Sequence, residues 1–247
     1  MEQTPVHEQH NDDLLTLIPT EVKTLVEIGC SSGALAREYK KINRHCHYIG
    51  VDIVPEYVKL AKRFCDSAIV LDIETADTEF LREKLSSECW IFADSLEHLR
   101  DPWALLSKIR KIIPANGCIV ACIPNAQHWS VQARLSIGDF RYQDMGLLDK
   151  THLRWFTRAT IVEMFENAGF QIVAGKPRIL DEPDREKFLP LIHAMASSLG
   201  VDADLAVSDA IPFQHVVKAV PVGACAAVEK KEGVFSSLSA MLRGAKR

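Results

Sequence analysis

The sequence predicts an α/β fold built on a doubly wound parallel sheet. Five short apolar runs alternate with helical patterns, and four of the runs carry an acidic residue at or near their end. Runs that are apolar throughout are typical of strands buried on both faces of a parallel sheet, and their alternation with helices requires right-handed crossovers. A chain of 247 residues is long enough for one such domain with additions.

The first strand and the loop after it indicate a ligand site. The run 24–28 contains Glu27, and Gly29 and Gly33 bound a short loop before a helical pattern begins. Glycine lets a backbone turn sharply and approach a ligand closely. Ser31 replaces the middle glycine of a dinucleotide fingerprint, and the lysine of a Walker loop is missing. The loop therefore predicts a ligand without a phosphate here, and an NAD-dependent oxidoreductase is the weaker alternative.

Acidic residues also follow the next three predicted strands. They are Asp52, Asp72 and Asp94. The carboxyl ends of neighbouring parallel strands meet at one edge of a sheet, so these acids converge on the crevice where open sheets bind ligands. Asp52 comes about twenty residues after the glycine loop, where a Rossmann-like unit places an acid for ribose hydroxyls.

The remaining elements are predicted from periodicity and from capping residues. Strands are predicted over 24–28, 47–53, 68–73, 89–94 and 117–123, with further strand-like runs over 170–179 and 215–222. Helices are predicted up to Ile18 with Asp12 or Asp13 as the cap, over 55–64, 78–86, 103–113, 128–137 and 187–199, and over 158–168 with Thr157 as the cap.

A long segment interrupts the alternation after the fifth strand. Residues 126–156 are predicted to form a lid over the acceptor substrate, because long loops in a compact domain tend to be functional. Aromatic residues of this lid, Trp129 among them, favour a wall for a flat or sugar-like group, with core anchoring as the alternative. The predicted division is a flexible lead-in over 1–13, one domain over 14–222 with a helical insertion over 181–210, and a tail over 223–247.

Composition argues against several classes of function. The net charge of −4 provides no field for a polyanion, so no nucleic acid partner is expected. The seven cysteines are odd in number and form no C-x-x-C pair, which favours buried free thiols in a reducing compartment. The polar start of the chain does not resemble a secretory signal, and no apolar run reaches the length of a membrane span. We expect a cytoplasmic protein.

Two short segments carry groups that can do acid–base or metal chemistry. Asp94, Glu97 and His98 lie within one turn at the tip of the fourth strand, and His152 ends the lid. His98 or His152 could take a proton from the acceptor as a general base. Alternatively, all four side chains could bind one divalent metal. The structural alternatives are a helix cap for Glu97, core packing for His98 and a hydrogen bond that pins the lid for His152.

Residues 27–33 read EIGCSSG and resemble the E/D-x-G-x-G-x-G motif of the class I S-adenosylmethionine-dependent methyltransferases, with serine in place of the middle glycine. The resemblance implies a seven-stranded, Rossmann-like, mostly parallel sheet with an antiparallel last strand. It implies that the methionine part of the cofactor lies against the loop, the ribose at Asp52 and the adenine at Asp72. The implied cofactor-binding residues are Glu27, Gly29, Cys30, Gly33, Asp52, Ile53, Asp72, Ile73 and Asp94.

A second resemblance concerns the possible metal. The ubiquinone-biosynthesis O-methyltransferases and the plant small-RNA 2′-O-methyltransferases carry E-x-x-E-H and a later histidine, and these residues bind a metal. This chain matches at Glu97, His98 and His152, and it departs at Asp94, where those families have glutamate. The resemblance implies a divalent ion such as Mg²⁺ held by these four residues, while a metal-free general base stays open.

Longer strings over 123–131, 138–140, 146–157 and 168–170 resemble a bacterial methyltransferase subfamily that is often linked to surface-polysaccharide biosynthesis. This resemblance implies O-methylation of a small-molecule or sugar hydroxyl. The string Pro124-Asn125-x-x-His128-Trp129 also resembles a methionine-biosynthesis methyltransferase-like protein. That likeness implies the non-catalytic alternative, a cofactor-binding protein that acts through a partner enzyme.

Overall fold

The computed structural model describes residue 6 and residues 8–223. The strands are β1 (Thr24–Ile28), β2 (His47–Asp52), β3 (Ser67–Val70), β4 (Cys89–Ala93), β5 (Cys118–Pro124), β6 (Phe170–Arg178) and β7 (Gln214–Pro221). The helices are α1 (Asp12–Leu17), α2 (Ala34–Ile42), α3 (Pro55–Ala61), α4 (Thr78–Leu85), α5 (Pro102–Arg110), α6 (Trp129–Ser136), α7 (Arg158–Asn167), α8 (Arg185–Ser198) and α9 (Ala203–Ala210).

The described strands form one seven-stranded sheet in the order β3–β2–β1–β4–β5–β7–β6. Strands β1 to β5 pair in parallel, and β7 runs antiparallel to both of its neighbours. The predicted fold class, including the antiparallel last strand, is confirmed. Because the strand order changes direction between β1 and β4, the loops after these strands border the crevice where such sheets bind ligands.

Successive side chains of the central strands enter two different cores. Val26, Trp90 and Phe92 pack with α4, α5 and α7 on one face. Leu25 and Ile91 pack with α1 and α2 on the other face. A strand with helices on both faces has to be apolar at every position, which explains the continuous apolar runs in the sequence.

Some element boundaries differ from the prediction for local reasons. Asn11, rather than Asp12 or Asp13, caps α1, because its Oδ1 accepts a hydrogen bond from Leu14 N at 3.1 Å. The third strand ends at Val70, since Asp72 caps a 3₁₀ turn over Ile73–Thr75. The predicted insertion holds α9 in addition to the expected helix. Thr157 caps α7 as predicted.

The predicted lid contains α6 and is tied to the sheet at its end. Ala126 N donates to Phe156 O at 2.8 Å, so both ends of the segment lie together beside β5. Trp129 is 9% exposed and stacks on Phe188 of α8 at a ring distance of 5.2 Å. This tryptophan is therefore a core anchor, which was the alternative reading. Phe140, Tyr142 and Trp155 instead form an exposed cluster with ring distances of 6.0 to 6.3 Å.

Six of the seven cysteines are buried and unpaired, as predicted. They are Cys30, Cys46, Cys65, Cys89, Cys118 and Cys122. Cys225 and all of the predicted tail except Gly223 lie outside the described residues, as do residues 1–5 and 7. None of the helices that the structure describes combines the length and the apolar character needed to cross a bilayer.

Candidate functional site

Two adjoining cavities lie at the carboxyl ends of the central strands. The larger has a volume of about 370 Å³ and runs from Asp52 and Asp72 to the lid residues 145–147. The smaller has a volume of about 330 Å³ and lies between the glycine loop and the segment 9–11. Residues that wall both cavities are Gly29, Ser31, Ala93, Asp94 and Met145. The two cavities therefore meet beside the glycine loop.

The backbone of the glycine loop explains both of its glycines. Gly29 has a φ of +80°, and a Cβ at this position would lie 3.1 Å from Ser95 Cβ. Gly33 has a φ of +79°, and its Cβ would lie 3.0 Å from Ala61 Cα. A side chain at either position would combine a left-handed conformation with a close contact. Ser31, at a φ of +45°, donates its N–H to Asp52 Oδ2 at 2.9 Å, which ties the loop to β2.

The residues predicted to hold the nucleoside all line the larger cavity: Asp52, Ile53, Asp72 and Ile73. Asp52 is 8% exposed, and its Oδ1 accepts from Val54 N at 2.9 Å. Ile53 is exposed, whereas Ile73 is buried in the core. Asp72 Oδ1 accepts from Glu74 N, and its Oδ2 pairs with Arg100 Nη2 at 3.1 Å. Each aspartate is held by backbone N–H groups, which fixes its carboxylate at the cavity wall.

The residues predicted to face the methionine part are divided between the two cavities. Gly29 lines both, while Glu27 and Cys30 line the smaller one. Gly33 lies outside both walls and begins α2 as its N-cap. Burial raises the pKa of Glu27 to about 8, and Tyr48 Oη donates a hydrogen bond of 2.8 Å to it. Burial also raises the pKa of the Cys30 thiol. Both groups are protonated at neutral pH.

The structure brings Glu97, His98 and His152 together at the lid end of the larger cavity. One possible ligand atom from each lies within 4.8 Å of the others. The Glu97 carbonyl accepts from the backbone N–H groups of residues 153 and 154 at 2.8 and 3.0 Å, which attaches the lid to the turn after β4. His98 Nδ1 lies 3.2 Å from Thr151 O. The rings of His98 and His152 meet edge to face at 4.8 Å.

This cluster has lone pairs that no protein group uses. Glu97 is 1% exposed, and within the described part of the chain neither of its carboxyl oxygens nor His152 Nδ1 has a hydrogen-bond partner. Burial, together with the charges of Asp94 and Asp149, raises the pKa of Glu97 well above its usual range. Burial and the neighbouring His98 lower the pKa of His152 to about 4, and burial lowers that of His98. Buried polar groups without a protein partner at a cavity wall are typical of a binding site.

Two of the structural alternatives are decided by the geometry. Asp101, rather than Glu97, caps the following helix, because its Oδ1 accepts from Ala104 N at 2.9 Å. His98 is half-buried and lines the cavity, so it is not a core packing residue. Asp94 also lines the cavity, but it lies outside the cluster of three and accepts a hydrogen bond from Gln214 Nε2.

Several cavity residues are missing from the sequence prediction. Phe213 and Gln214 reach the site from the start of β7, about ninety positions after β5, while Arg100 and Met145 come from nearer loops. Asn125 helps to place Phe213 and Gln214 at the site. Its Nδ2 donates to Asp209 O and Pro212 O, both at 2.8 Å, and so holds the turn before β7. The Pro-Asn string was the available signal, but it does not identify these partners.

The cluster of Glu97, His98 and His152 fits a divalent cation by its chemistry. One carboxylate and two imidazoles are common metal ligands, and the unpartnered oxygens of Glu97 leave room for coordination. Two imidazoles suit a transition-metal ion better than Mg²⁺, which prefers oxygen ligands. The same groups without a metal can accept and position a proton.

Comparisons with known proteins identify the family of the chain. A family profile described as "Methyltransferase domain" matches residues 6–174. No curated protein matches the chain in sequence.

Three solved structures share the fold. The methyltransferase bound to the activator Trm112 in a complex from Haloferax volcanii has a TM-score of 0.55 at 19% identity, covering 84% of this chain and 87% of that one. A SAM-dependent methyltransferase from Archaeoglobus fulgidus has a TM-score of 0.55 at 18% identity, covering 81% of this chain and 87% of that one. Magnesium protoporphyrin IX methyltransferase from Synechocystis PCC 6803, with bound SAH, has a TM-score of 0.52 at 12% identity, covering 80% of this chain and 73% of that one.

The family match spans more than half of the chain and includes the glycine loop and the acids that line the larger cavity. The seven-stranded sheet belongs to the fold that this chain shares with the solved structures above. The chain therefore belongs to the class I S-adenosylmethionine-dependent methyltransferases.

Proposed function

We propose that this methyltransferase transfers its methyl group to the oxygen of a small-molecule hydroxyl, with sugar hydroxyls among the acceptors. The observation that carries the proposal is the cluster of buried Glu97, half-buried His98 and buried His152 at the lid end of the larger cavity. A hydroxyl has to lose a proton as it is methylated, so an oxygen acceptor needs such groups beside it. The sugar class rests on the resemblance to the polysaccharide-linked subfamily.

The two cavities support one orientation of the cofactor. Asp52 and Ile53 would hold the ribose and adenine in the larger cavity, with Asp72 near the adenine amino group. The methionine part would enter the smaller cavity, beside Glu27 and Cys30. The methyl group would then lie near the junction and point along the larger cavity toward the histidines. This arrangement aligns donor and acceptor for an in-line attack.

His98 is the better candidate for the general base. Its Nδ1 lies 3.2 Å from the Thr151 carbonyl, so Nδ1 carries the proton and Nε2 is the basic nitrogen. The acceptor oxygen forms a bond to the methyl carbon, the carbon–sulfur bond breaks with its electron pair on sulfur, and Nε2 takes the hydroxyl proton. His152, with a pKa of about 4, is too weak a base for this step and serves to position the acceptor with Glu97.

A divalent ion would be held by Glu97, His98 and His152 if the enzyme uses one. Such an ion would lower the pKa of a bound hydroxyl and orient it. The protein side chains would still provide the position and the exclusion of water. Chelation followed by elemental analysis and re-addition of Mn²⁺, Zn²⁺ or Mg²⁺ separates the two versions. Unchanged turnover in metal-free protein would remove the metal version and leave His98 as base.

The test of the proposal is methyl transfer from labelled cofactor to a panel of nucleotide sugars, free sugars and small phenols. His98→Gln should lower kcat by about 10²- to 10⁴-fold while the affinity for SAH stays within about threefold. His193→Gln, at an exposed position of α8, is the matched histidine control. Small amines and thiols are assayed beside the panel, and transfer to one of these with none to hydroxyls would contradict the proposal.

The non-catalytic alternative predicts cofactor binding without turnover. One structural neighbour, from Haloferax volcanii, was solved in complex with a methyltransferase activator, which motivates the comparison. If this chain binds SAH but methylates no acceptor until a copurifying protein is added back, partner-dependent action replaces the proposal. Turnover by the purified chain alone excludes it.

A further inference from the structure

The acidic side chain at the tip of β4 has partners that the mechanism above does not use. Asp94 has a φ of +52°, and its Oδ1 accepts a hydrogen bond from Gln214 Nε2. Gln214 begins β7, which is separated from β4 by β5. Its Oε1 accepts a hydrogen bond of 2.6 Å from Arg178 Nη1 at the end of β6. A chain of three side chains therefore joins the last hairpin to the tip of β4.

The donors and acceptors of this chain fix its orientation. A guanidinium can only donate, so Gln214 has to present its oxygen to Arg178 and its NH₂ group to Asp94. Gln214 is 6% exposed, so water does not easily replace it. Asp94 adopts a left-handed backbone conformation, which aspartate tolerates better than most residues other than glycine. Gln214 and Arg178 thus hold a carboxylate at one defined place.

That place is the junction of the two cavities. Of the five residues that wall both, Asp94 is the charged one. The sulfonium of S-adenosylmethionine connects the nucleoside half of the molecule to the methionine half. With the halves in the larger and the smaller cavity, as proposed above, the sulfur would lie at the junction, where Asp94 lines both cavities.

We propose that Asp94, held by Gln214 and Arg178, makes the site prefer the cationic methyl donor over the neutral thioether product. A carboxylate attracts a sulfonium by a Coulomb interaction, which disappears when the methyl group leaves and the sulfur becomes neutral. Product therefore binds more weakly than donor and is released. Gln214 and Arg178 are positioning residues that act through Asp94. This inference rests on the cofactor orientation given under the proposed function and not on the acceptor.

The test compares two ligands that differ in charge at the sulfur position. S-adenosylhomocysteine is neutral there, and sinefungin carries an ammonium group. Their adenosine and amino-acid ends are alike, so the ratio of their dissociation constants cancels effects elsewhere in the site. Calorimetry on the full-length protein should show that Asp94→Asn reduces the preference for sinefungin by about tenfold or more. Asp94→Asn keeps the size of the side chain, which preserves the local packing.

The positioning residues are tested in the same assay. Gln214→Met, which leaves the charges of the site unchanged, should reduce the sinefungin preference by about three- to tenfold, because Asp94 is no longer held toward the junction. Arg178→Met also removes a positive charge from the wall of the smaller cavity, so Gln214→Met is the decisive variant. Gln171→Met, at an exposed position of β6, is the matched control and should leave the ratio unchanged. A role in stability alone would weaken both ligands equally and leave the ratio as it is.

Three outcomes would overturn the inference. They are an unchanged ratio in Asp94→Asn, an equal loss of both ligands in Gln214→Met, and a wild-type protein that binds neither ligand. The last outcome would also remove the proposed cofactor orientation. A wild-type preference for sinefungin that depends on Asp94, in a protein that methylates no hydroxyl, would support the inference and contradict only the proposed acceptor chemistry.

Discussion

Replacing Asp52 by alanine should separate its contribution to cofactor binding from its contribution to folding. In the structure, the Asp52 carboxylate accepts one hydrogen bond from Ser31 N and one from Val54 N, both at 2.9 Å, at the wall of the larger cavity. The second lone pair of each oxygen remains for ribose hydroxyls. Hydrogen bonds to a charged group contribute about 1.5–3 kcal/mol each. Losing one to the cofactor should therefore raise the Kd of SAH by about 10- to 150-fold.

Asp66 offers a matched control on the same strand connection. It also accepts a backbone hydrogen bond, from Tyr48 N at 2.7 Å, and pairs with Lys40, but it lies outside both cavities. Asp52→Ala and Asp66→Ala should both lower the urea midpoint, since each leaves a backbone N–H without its acceptor. Only Asp52→Ala should weaken SAH binding in calorimetry. An Asp52→Ala protein whose Kd stays within threefold of wild type would refute the ribose assignment.

Three further predictions concern stability. Glu27 has a pKa of about 8 in the folded protein against 4.5 as its usual value, so the folded state binds more protons between these values. The stability of wild type minus that of Glu27→Gln, both from urea unfolding, should therefore fall by about 1.4 kcal/mol per pH unit between about pH 5 and 7. A difference that stays constant with pH would contradict this assignment. Gly29→Ala should lower the free energy of unfolding more than Gly138→Ala does. Both glycines have a positive φ, but only at Gly29 would the added Cβ lie close to another atom, at 3.1 Å from Ser95 Cβ. Equal losses of about 1 kcal/mol in the two variants would show that Ser95 moves to accommodate the methyl group. Arg158→Met should lower the free energy of unfolding by about 3–5 kcal/mol in the same assay. The substitution leaves the buried Asp209 without the guanidinium that donates to both of its carboxylate oxygens. A loss below about 1 kcal/mol would show that water reaches Asp209.

The sequence by itself predicted the fold class, which the structure confirms, and the edge of the sheet where the acidic residues meet. Continuous apolar runs require helices on both faces of a sheet, and acids placed after consecutive strands have to meet at one edge whatever the details of packing. Gly29 and Gly33 could be identified from the sequence because both have a positive φ, which glycine adopts more easily than other residues. These features are local, or follow from topology alone, so residue order is sufficient to find them.

Only the tertiary structure decided which groups meet at the acceptor end. His152 and Glu97 are 55 positions apart in the sequence, yet His152 Nε2 lies 3.9 Å from Glu97 Oε1. This contact depends on how the lid returns to the turn after β4. The same holds for Gln214, which reaches Asp94 because β7 is inserted antiparallel between β5 and β6. Trp129 is a further example, because the sequence cannot distinguish an aromatic residue that faces a substrate from one that packs in the core. Only the structure shows that Trp129 stacks on Phe188. Contacts between distant segments are fixed by packing, and periodicity within one segment carries no information about them.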